Sequence, residues 1–416
     1  MIVLDEQIKP LLLENGIHRE IIIRFPNATE GEISEIGSSN IIAESFELKH
    51  SICDEKEFVL GGCIAGQLAI QVVGIEQALN NKRINVFIRQ TYSTGDLLPS
   101  DALYPSDDLF PGLQKVTIET QIFSGTIDSS LRQKNRSIKE IIAYDDMYLM
   151  SQTKCATWFL GYVQYTITKQ DATLWRLLYS TLEHFETLTN VSVGIGTFSP
   201  GFNGNKILKM NYDTAKSVIK DNMVVTDLLK AYCELNACFA IINPFGKIKM
   251  VQLYEQESSA KTVKKPVDEE ILAYSNLEFE EYTTRPINRI RFKYNKDLNF
   301  DYGHSATRQS WYVSDNIITS CCSDVGDFVT AFNNNNGNNY IFNDLYSYRP
   351  FSADVFARWW LEPGDKVKIK TGYDDTETVE SFVFERTIKG INGMRVTLKA
   401  QGTEFIGKDE IESDTV

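Results

Sequence analysis

The chain has 416 residues, of which 43% are hydrophobic, and its formal net charge is −14. This length predicts two to four domains, and no apolar run reaches the roughly 18 residues that a membrane span needs. The acidic balance argues against nucleic-acid binding through neutralised phosphates, because such binding requires a basic surface. The N-terminus lacks the basic segment of a secretory signal, which predicts synthesis in a cytoplasm.

Short strands are predicted for most of the first 155 residues. Residues 19–25 read as an opening strand and residues 45–52 as the next. A glycine-rich segment, 61–66, follows; it predicts a bulge or a barrel corner, since the lysine-containing phosphate-loop motif is missing. In the segment 83–89 alternate apolar residues share one face at strand spacing; they are Ile84, Val86 and Ile88. Residues 91–113 are predicted to form a loop.

The segment from Gln114 to Met150 predicts a strand, a charged loop, a second strand and the start of a helix. Val116 and Ile118 belong to its first strand. The second strand ends in Ala-Tyr-Asp-Asp, and a carboxylate at this point is predicted to cap the helix in preference to binding a cation. A weaker version of the pattern recurs in residues 365–402, which indicates two related all-β units in one chain.

The middle of the chain predicts a mixture of helices and strands. Asp171 is a candidate cap for an amphipathic helix whose apolar face includes Leu188. A second helix is predicted to begin near Thr226 and to lead into a hairpin that turns at 243–246. Residues 255–270 have no apolar period and are predicted to be a linker or an exposed loop.

The C-terminal part returns to predicted strands. Val367 and Ile369 alternate with lysines in one of them, and VESFVFERTI predicts another. Trp359 and Trp360 precede the turn Glu-Pro-Gly-Asp. Adjacent strand residues point to opposite faces, so one tryptophan is expected in the core and the other either in a subunit contact, where tryptophan is enriched, or partly buried beneath a local loop.

No residue pattern predicts catalysis, a metal site or a cofactor. The four histidines occur in no zinc-binding motif, and the seven cysteines form no C-x-x-C pair. His184 is predicted to be solvated, and Cys233 to pack in a core away from Cys238. His304 beside Ser305 lacks the nucleophile elbow of a hydrolase.

Several segments, taken in order, resemble tail proteins of phages and prophages of Firmicutes. They are GGCIAGQLAIQVV, GTIDSSLRQKNRSIKEIIAYDDMYL, AYCELNACFAIINPFGKIKMVQL and ADVFARWWLEPGDKVKIK with FERTIKGINGMRVTLKAQG. The chain resembles the baseplate hub family over roughly residues 20–402. The resemblance implies an α+β, mainly β fold, with two small β-barrel hub domains related by a pseudo-repeat and an α+β connector between them.

The resemblance also implies a division of the chain. Residues 1–155 are expected to form the first barrel, 156–265 the connector, 266–402 the second barrel with loop insertions, and 403–416 an acidic tail. Three chains with two barrels each imply a pseudo-sixfold ring. The expected interface residues are Ile84, Val86, Ile88, Val116, Ile118, Trp359, Trp360, Val367 and Ile369.

The implied function is that of a structural, non-enzymatic hub subunit of a phage, prophage or phage-tail-like particle. The implied partners are two further copies of the chain, the tail tube or distal tail protein, and a spike, fibre or tip protein, with the tape-measure protein as a further candidate. The implied location is the virion tail. Two alternatives stay open: a tail-associated peptidoglycan hydrolase using Cys233 or His304, and a receptor- or glycan-binding tip protein using Tyr340, Phe342 and Tyr346.

Overall fold

The structure is a computed structural model of the chain. It describes residues 2, 4, 8–13, 17–53, 58–94, 114–132, 137–169, 172–196, 203–258, 261–284, 287, 289–296, 298–303, 311–331, 347–371 and 378–404. His304, the aromatic residues proposed as a glycan contact, Asp171 and most of the predicted acidic tail lie outside these ranges.

The N-terminal part is almost entirely β, as its alternating sequence predicts. A short helix, α1 (Ile8–Leu12), and two single 3-10 turns accompany seven strands. The strands are β1 (His18–Arg24), β2 (Glu35–Ile36), β3 (Glu47–Ser51), β4 (Gln67–Val73), β5 (Arg83–Thr94), β6 (Gln114–Arg132) and β7 (Ile138–Tyr144).

The middle part contains most of the helical residues. Its helices are α2 (Asp146–Gln152), α3 (Ala156–Lys169), α4 (Leu174–Thr189), α5 (Tyr212–Val218) and α6 (Val225–Leu235). Its strands are β8 (Phe239–Ile242), β9 (Ile248–Val251), β10 (Tyr254–Ser258) and β11 (Lys261–Lys264).

The C-terminal part is again mainly β. Its strands are β12 (Glu269–Ile271), β13 (Asn276–Phe279), β14 (Arg289–Tyr294), β15 (Leu298–Gly303), β16 (Trp311–Ser314), β17 (Phe351–Phe356), β18 (Lys366–Lys370), β19 (Thr378–Phe382), β20 (Glu385–Lys389) and β21 (Arg395–Ala400). Two short helices, α7 (Ile317–Ser320) and α8 (Gly326–Ala331), interrupt them. The predicted α+β, mainly β class is confirmed.

Eleven strands from both ends of the chain form one sheet. Its order is β13-β17-β21-β20-β3-β4-β7-β6-β5-β1-β2, and every neighbouring pair is antiparallel. The N-terminal and C-terminal strands meet where β3 pairs with β20, with Leu48 opposite Ile388. We call this β3–β20 contact the seam. Closure of either half into a barrel stays a prediction.

The strand order is symmetric about the seam. On one side a hairpin, β3-β4, is followed by β7 and then β6; on the other a hairpin, β20-β21, is followed by β17 and then β13. The outer pairs, β6-β7 and β13-β17, are also arranged alike: the strand that comes later in the chain, β7 or β17, lies next to the hairpin. The two groups differ in chain order, because the hairpin comes first in the N-terminal group and last in the C-terminal group. The repeat suspected from the sequence therefore stays a prediction.

The glycines before β4 permit close backbone crossings. A Cβ on Gly62 would lie 1.8 Å from the Ile52 carbonyl oxygen, and the Gly62 carbonyl itself accepts from the Ala240 N–H. A Cβ on Gly66 would meet the His50 ring at 2.5 Å and the Asp145 carboxylate at 2.8 Å. These contacts bring β3, β4, β8 and the start of α2 together, and the glycine-rich segment packs against backbone and not against a phosphate.

The middle part corrects three predictions. The cap of α4 is Thr173, whose hydroxyl accepts from the Arg176 N–H. Leu188 is 54% exposed and does not belong to the buried face. The predicted linker is wrong for residues 255–270, because β10 and β11 pair as an antiparallel ribbon and β12 begins at Glu269. Backbone pairing holds this ribbon without an apolar period in the sequence.

The strands β14, β15 and β16 form a small sheet that docks on α6. Tyr312 and the Asn316 amide donate to the Glu234 carboxylate at 2.6 and 2.7 Å. The Asn316 Oδ1 also caps α7 by accepting from the Ile318 N–H. This polar contact ties the C-terminal insertion to the helical middle of the chain, and no sequence pattern predicted it.

Candidate assembly interface

One end of the large sheet is protected against further pairing. Strand β2 covers only Ile23 and Arg24 of β1. Beyond them the Ser38 hydroxyl accepts from the Ile21 N–H at 2.9 Å and donates to the Ile21 carbonyl at 3.1 Å. Because both main-chain groups of Ile21 are satisfied by one side chain, this end is poorly suited to accept another strand.

Strand β6 is covered by different strands in its two halves. Strand β5 pairs with Gln114–Thr126, whereas β7 pairs with Thr126–Arg132 on the opposite edge. Two bulges, at Ile122 and Asp128, bend the strand between these partners. Within the described ranges, no strand covers the β7-side edge from Gln114 to Ser124.

The other end of the sheet is β13, and its outer edge is also uncovered by any described strand. The Glu280 N–H donates to the Pro350 carbonyl, which continues the pairing of β13 with β17 by one residue. Main-chain groups alternate in direction along an antiparallel edge, so those of Leu277 and Phe279 point away from β17. The two uncovered edges, β6 and β13, are thus the outermost strands of the two symmetric groups.

The outer face of the sheet beside the uncovered β6 edge carries paired charges. Glu119 binds Arg24 and Arg89, and Arg24 also binds Glu35. Burial raises the pKa of the Glu119 carboxyl, but Arg24 and Arg89 outweigh this and lower it below its usual value. Exposed pairs of this kind contribute about 0–1 kcal/mol each. They keep this face hydrophilic.

The two tryptophans lie together in the core. Both are 0% exposed, and their rings meet edge to face at 5.8 Å. Trp359 donates to the Gln90 amide of β5, and Trp360 donates to Glu269 of β12. The expectation that they diverge is wrong, because β17 ends at Phe356 and the pair belongs to a turn where strand alternation no longer applies.

The same turn joins a buried polar network at the seam. Arg386 of β20 donates to the Trp359 and Leu361 carbonyls, both at 2.7 Å, and to His50 Nδ1 of β3 at 2.8 Å. Glu362 binds Lys249 of β9 at 2.7 Å. The network therefore fixes the contact between the two halves of the sheet.

The protonation states within this network follow from its burial. Burial, together with the Arg386 charge, lowers the pKa of His50 to about 3. His50 is consequently neutral at pH 7 and its Nδ1 can accept from Arg386. Burial raises the pKa of the Glu362 carboxyl, but Lys249 and Arg386 outweigh burial and bring it to about 2.

We expect the contribution of His50 to the stability of the chain to fall as the pH falls below about 6.5. An unfolded His50 binds a proton there while the folded one does not, so stability changes by up to about 1.4 kcal/mol per pH unit until the folded pKa is reached. Urea unfolding from pH 7 to pH 4 measures this slope. His50→Gln should flatten it, whereas the same change at exposed His18 should not; equal slopes for all three proteins would contradict the assignment.

The predicted helix cap after β7 is confirmed. The Asp145 carboxylate accepts from the Met147 N–H at 3.0 Å and from the Gly66 N–H at 2.7 Å. Its neighbour Asp146 forms an ion pair with Arg83. Burial raises the pKa of the Asp145 carboxyl well above its usual value. The side chain thus holds α2 against β4.

Most of the predicted interface side chains lie inside the chain. Seven are at most 1% exposed and serve the core: Ile84, Val86, Ile88, Trp359, Trp360, Val367 and Ile369. Val116 and Ile118 are half-buried on the uncovered half of β6. Their role in an interface stays a prediction. The backbone edges of β6, which the sequence analysis had named, and of β13, which it had not, are better placed for contact than the seven buried side chains.

The candidate catalytic residues are poorly placed for catalysis where they are described. Cys233 is 0% exposed as predicted, and burial raises the pKa of its thiol well above the usual value. His184 is not solvated as expected, because it is half-buried and stacks on Trp158 at 4.8 Å. The described residues contain no metal-binding group of His, Cys, Asp and Glu side chains. No described helix is both long enough and apolar enough to cross a membrane.

No protein-family profile matches the chain, and no curated protein matches its sequence. Among solved structures it is similar to the tail protein from Neisseria meningitidis MC58, with a TM-score of 0.51 and 10% identity over 94% of this chain and 98% of that chain. The 43 kDa tail protein of prophage MuSo2 from Shewanella oneidensis has a TM-score of 0.48 and 9% identity, over 94% of this chain and 100% of that chain. The first likeness shows a shared fold across nearly the full length of both chains.

Proposed function

We propose that the chain is a structural, non-enzymatic subunit of a phage tail, prophage tail or phage-tail-like particle. Its place is the hub, where three copies form a pseudo-sixfold ring between the tail tube or distal tail protein and a spike, fibre or tip protein. The full-length fold similarity to a tail protein supports a role in a tail. The resemblance of the quoted sequence segments to hub proteins supports a position in the hub.

The observation that carries the ring is the symmetric strand order. Each copy presents two four-strand groups that meet at the seam and end in uncovered edges, β6 and β13. If β13 of one copy pairs with β6 of the next, the sheet continues from copy to copy. This contact joins the outer strands of two groups, whereas the seam within each copy joins the inner strands β3 and β20. Two equivalent groups per chain then let a threefold assembly match a sixfold neighbour.

The proposed domain division fits this arrangement. The 1–155 and 266–402 units supply the two strand groups, and the 156–265 connector supplies α3 to α6. The buried apolar side chains form one continuous cluster across these units. Because the halves share a core, each copy is expected to act as a rigid segment of the ring.

The charge of the chain suits a conduit for DNA. The net charge of −14 would repel phosphates and let DNA pass without sticking. The acidic residues are proposed to contribute to a negative lumen. A measured lumen potential that is positive would contradict this part of the proposal.

A hydrolase function is disfavoured by the surroundings of Cys233. A cysteine nucleophile needs a lowered pKa and access to substrate, and Cys233 has neither. Zymography of the purified protein beside Cys233→Ala and His304→Ala variants tests this alternative. Clearing of peptidoglycan by the wild type that either variant abolishes would overturn the non-enzymatic proposal.

Mass photometry over a range of concentrations tests the proposed stoichiometry. We expect a species of three chains, alone or on adding the tail-tube protein from the same particle. A chain that stays monomeric under both conditions, or that forms only dimers, contradicts the proposed ring.

A further inference from the structure

The turn between β8 and β9 holds one large aromatic side chain in solvent. Phe245 is 69% exposed, the most exposed of the large apolar side chains in the described ranges. Its backbone is nevertheless fixed. The Asn243 Oδ1 accepts from the N–H groups of Phe245 and Lys247, both at 3.0 Å, and Asn243 and Lys247 also pair through their backbones. Because the backbone is already fixed, Phe245 has only side-chain rotamers to lose when it binds a partner.

The turn is also fastened to the sheet. The Gln121 side chain on β6 donates to the Pro244 carbonyl at 2.7 Å. Gly246, with φ of +76°, lies against Arg83 of β5, which ion-pairs with Asp146 at the start of α2. These contacts place Phe245 where β7 stops covering β6. A strand added along the uncovered half of β6 would run towards it.

The β13 edge offers the matching surface. Leu277 and Phe279 are half-buried apolar side chains on one face of this edge strand, and Arg349 lies over the Phe279 ring at 4.3 Å. The exposed Glu278 carboxylate points to the opposite face, and the exposed Glu280 and Glu281 follow the strand. Beside Phe245 the exposed residue is Lys247, a cation. An apolar contact flanked by opposite charges is thus available between the β8–β9 turn of one copy and the β13 edge of another.

We propose that Phe245 and Lys247 form the anchor of a contact between copies of this chain at the β13 edge of the neighbouring copy. Phe245 packs on Leu277 and Phe279 on one face of that edge, and Lys247 reaches around the edge to the Glu278 carboxylate on the other face. The contact is heterologous, since the two surfaces differ, and repetition of such a contact closes a ring. The inference rests on the proposed function and adds to it the residues that select the neighbour.

A cross-link between separately purified variants tests the contact in trans. Lys247→Cys and Glu278→Cys proteins are mixed and treated with a short bis-maleimide, and linked peptides are identified by mass spectrometry. All seven native cysteines are buried, so the introduced thiols should react first. We expect a link between positions 247 and 278, and none when exposed Arg176→Cys on α4 replaces Lys247→Cys.

Two substitutions test the energetics. Phe245→Ser should weaken self-association at least about tenfold, as loss of a central aromatic anchor does, whereas the matched change at Ile207, which is 54% exposed, should leave it unchanged. Lys247→Glu should weaken it too, and Glu278→Lys should restore it. Rings that form with unaltered affinity and without the 247–278 link overturn the anchor alone. A wild-type chain that never self-associates overturns the ring and the anchor together.

Discussion

Replacing Gly62 by alanine is expected to lower the free energy of unfolding by about 3 kcal/mol or more. The new Cβ would lie 1.8 Å from the Ile52 carbonyl oxygen. That carbonyl belongs to a backbone that cannot easily retreat, because the Ile52 N–H donates to Phe384 beyond the seam at 2.9 Å. The clash therefore separates β8 from the end of β3 at the point where the two segments cross.

Urea denaturation of the wild type and two variants measures this effect. Gly37→Ala is the matched control, because its Cβ would meet nothing within 4 Å and its φ is −92°. Its unfolding free energy should stay within about 0.5 kcal/mol of the wild type. Equal midpoints for the two variants would show that the Gly62 crossing is looser than the structure describes.

Replacing Arg386 by methionine is expected to destabilise the seam by about 3–5 kcal/mol. The guanidinium is fully buried and donates to two carbonyls of the tryptophan turn and to His50. Burial lowers the pKa of Arg386, while Glu362 and Asp365 raise it. A methionine side chain fills similar space, but it cannot donate to the two carbonyls and His50. It also leaves Glu362 and Asp365 with less positive charge nearby.

The control for this experiment is Arg395→Met on β21. Arg395 is also paired, with Asp354 at 3.7 Å, but its side chain is 54% exposed. Surface pairs contribute little because water screens them, so the change should be about 1 kcal/mol or less. If both variants unfold at the same urea concentration, the seam does not depend on the buried network.

Local features of the fold were predictable because they depend on neighbouring residues. Alternation in β5 and β18 defined their inner faces correctly. The turn at 243–246 and the Asp145 cap each follow from the side chains that stabilise them. These elements need no knowledge of the distant chain.

Other features depend on contacts between distant segments. VESFVFERTI looks like one strand, but it contributes β19 to a small sheet and β20 to the large one, with a break at Val383 and Phe384. Trp359 and Trp360 were predicted to point to opposite faces because the strand before them was assumed to continue through them, whereas it ends at Phe356. The ribbon of β10 and β11 lacks an apolar face, so periodicity could not reveal it.

Most of the side chains predicted for an interface are core residues of the same chain. Apolar residues such as Ile84 and Val367 were chosen as contacts, but their hydrophobicity serves the core of the same chain. An uncovered edge is a property of backbone pairing, which follows from where β7 ends relative to β6. Only Phe245 could have been suspected from sequence, since a large aromatic at the tip of a tight turn has no core to enter.

End-on electron microscopy of the purified assembly tests the central proposal most directly, namely that three copies reproduce sixfold geometry through two equivalent strand groups each. Class averages should show a closed ring with six similar inner lobes and an open centre, with a mass of three chains. A compact particle without a central channel, or a ring with only three inner lobes, would contradict it.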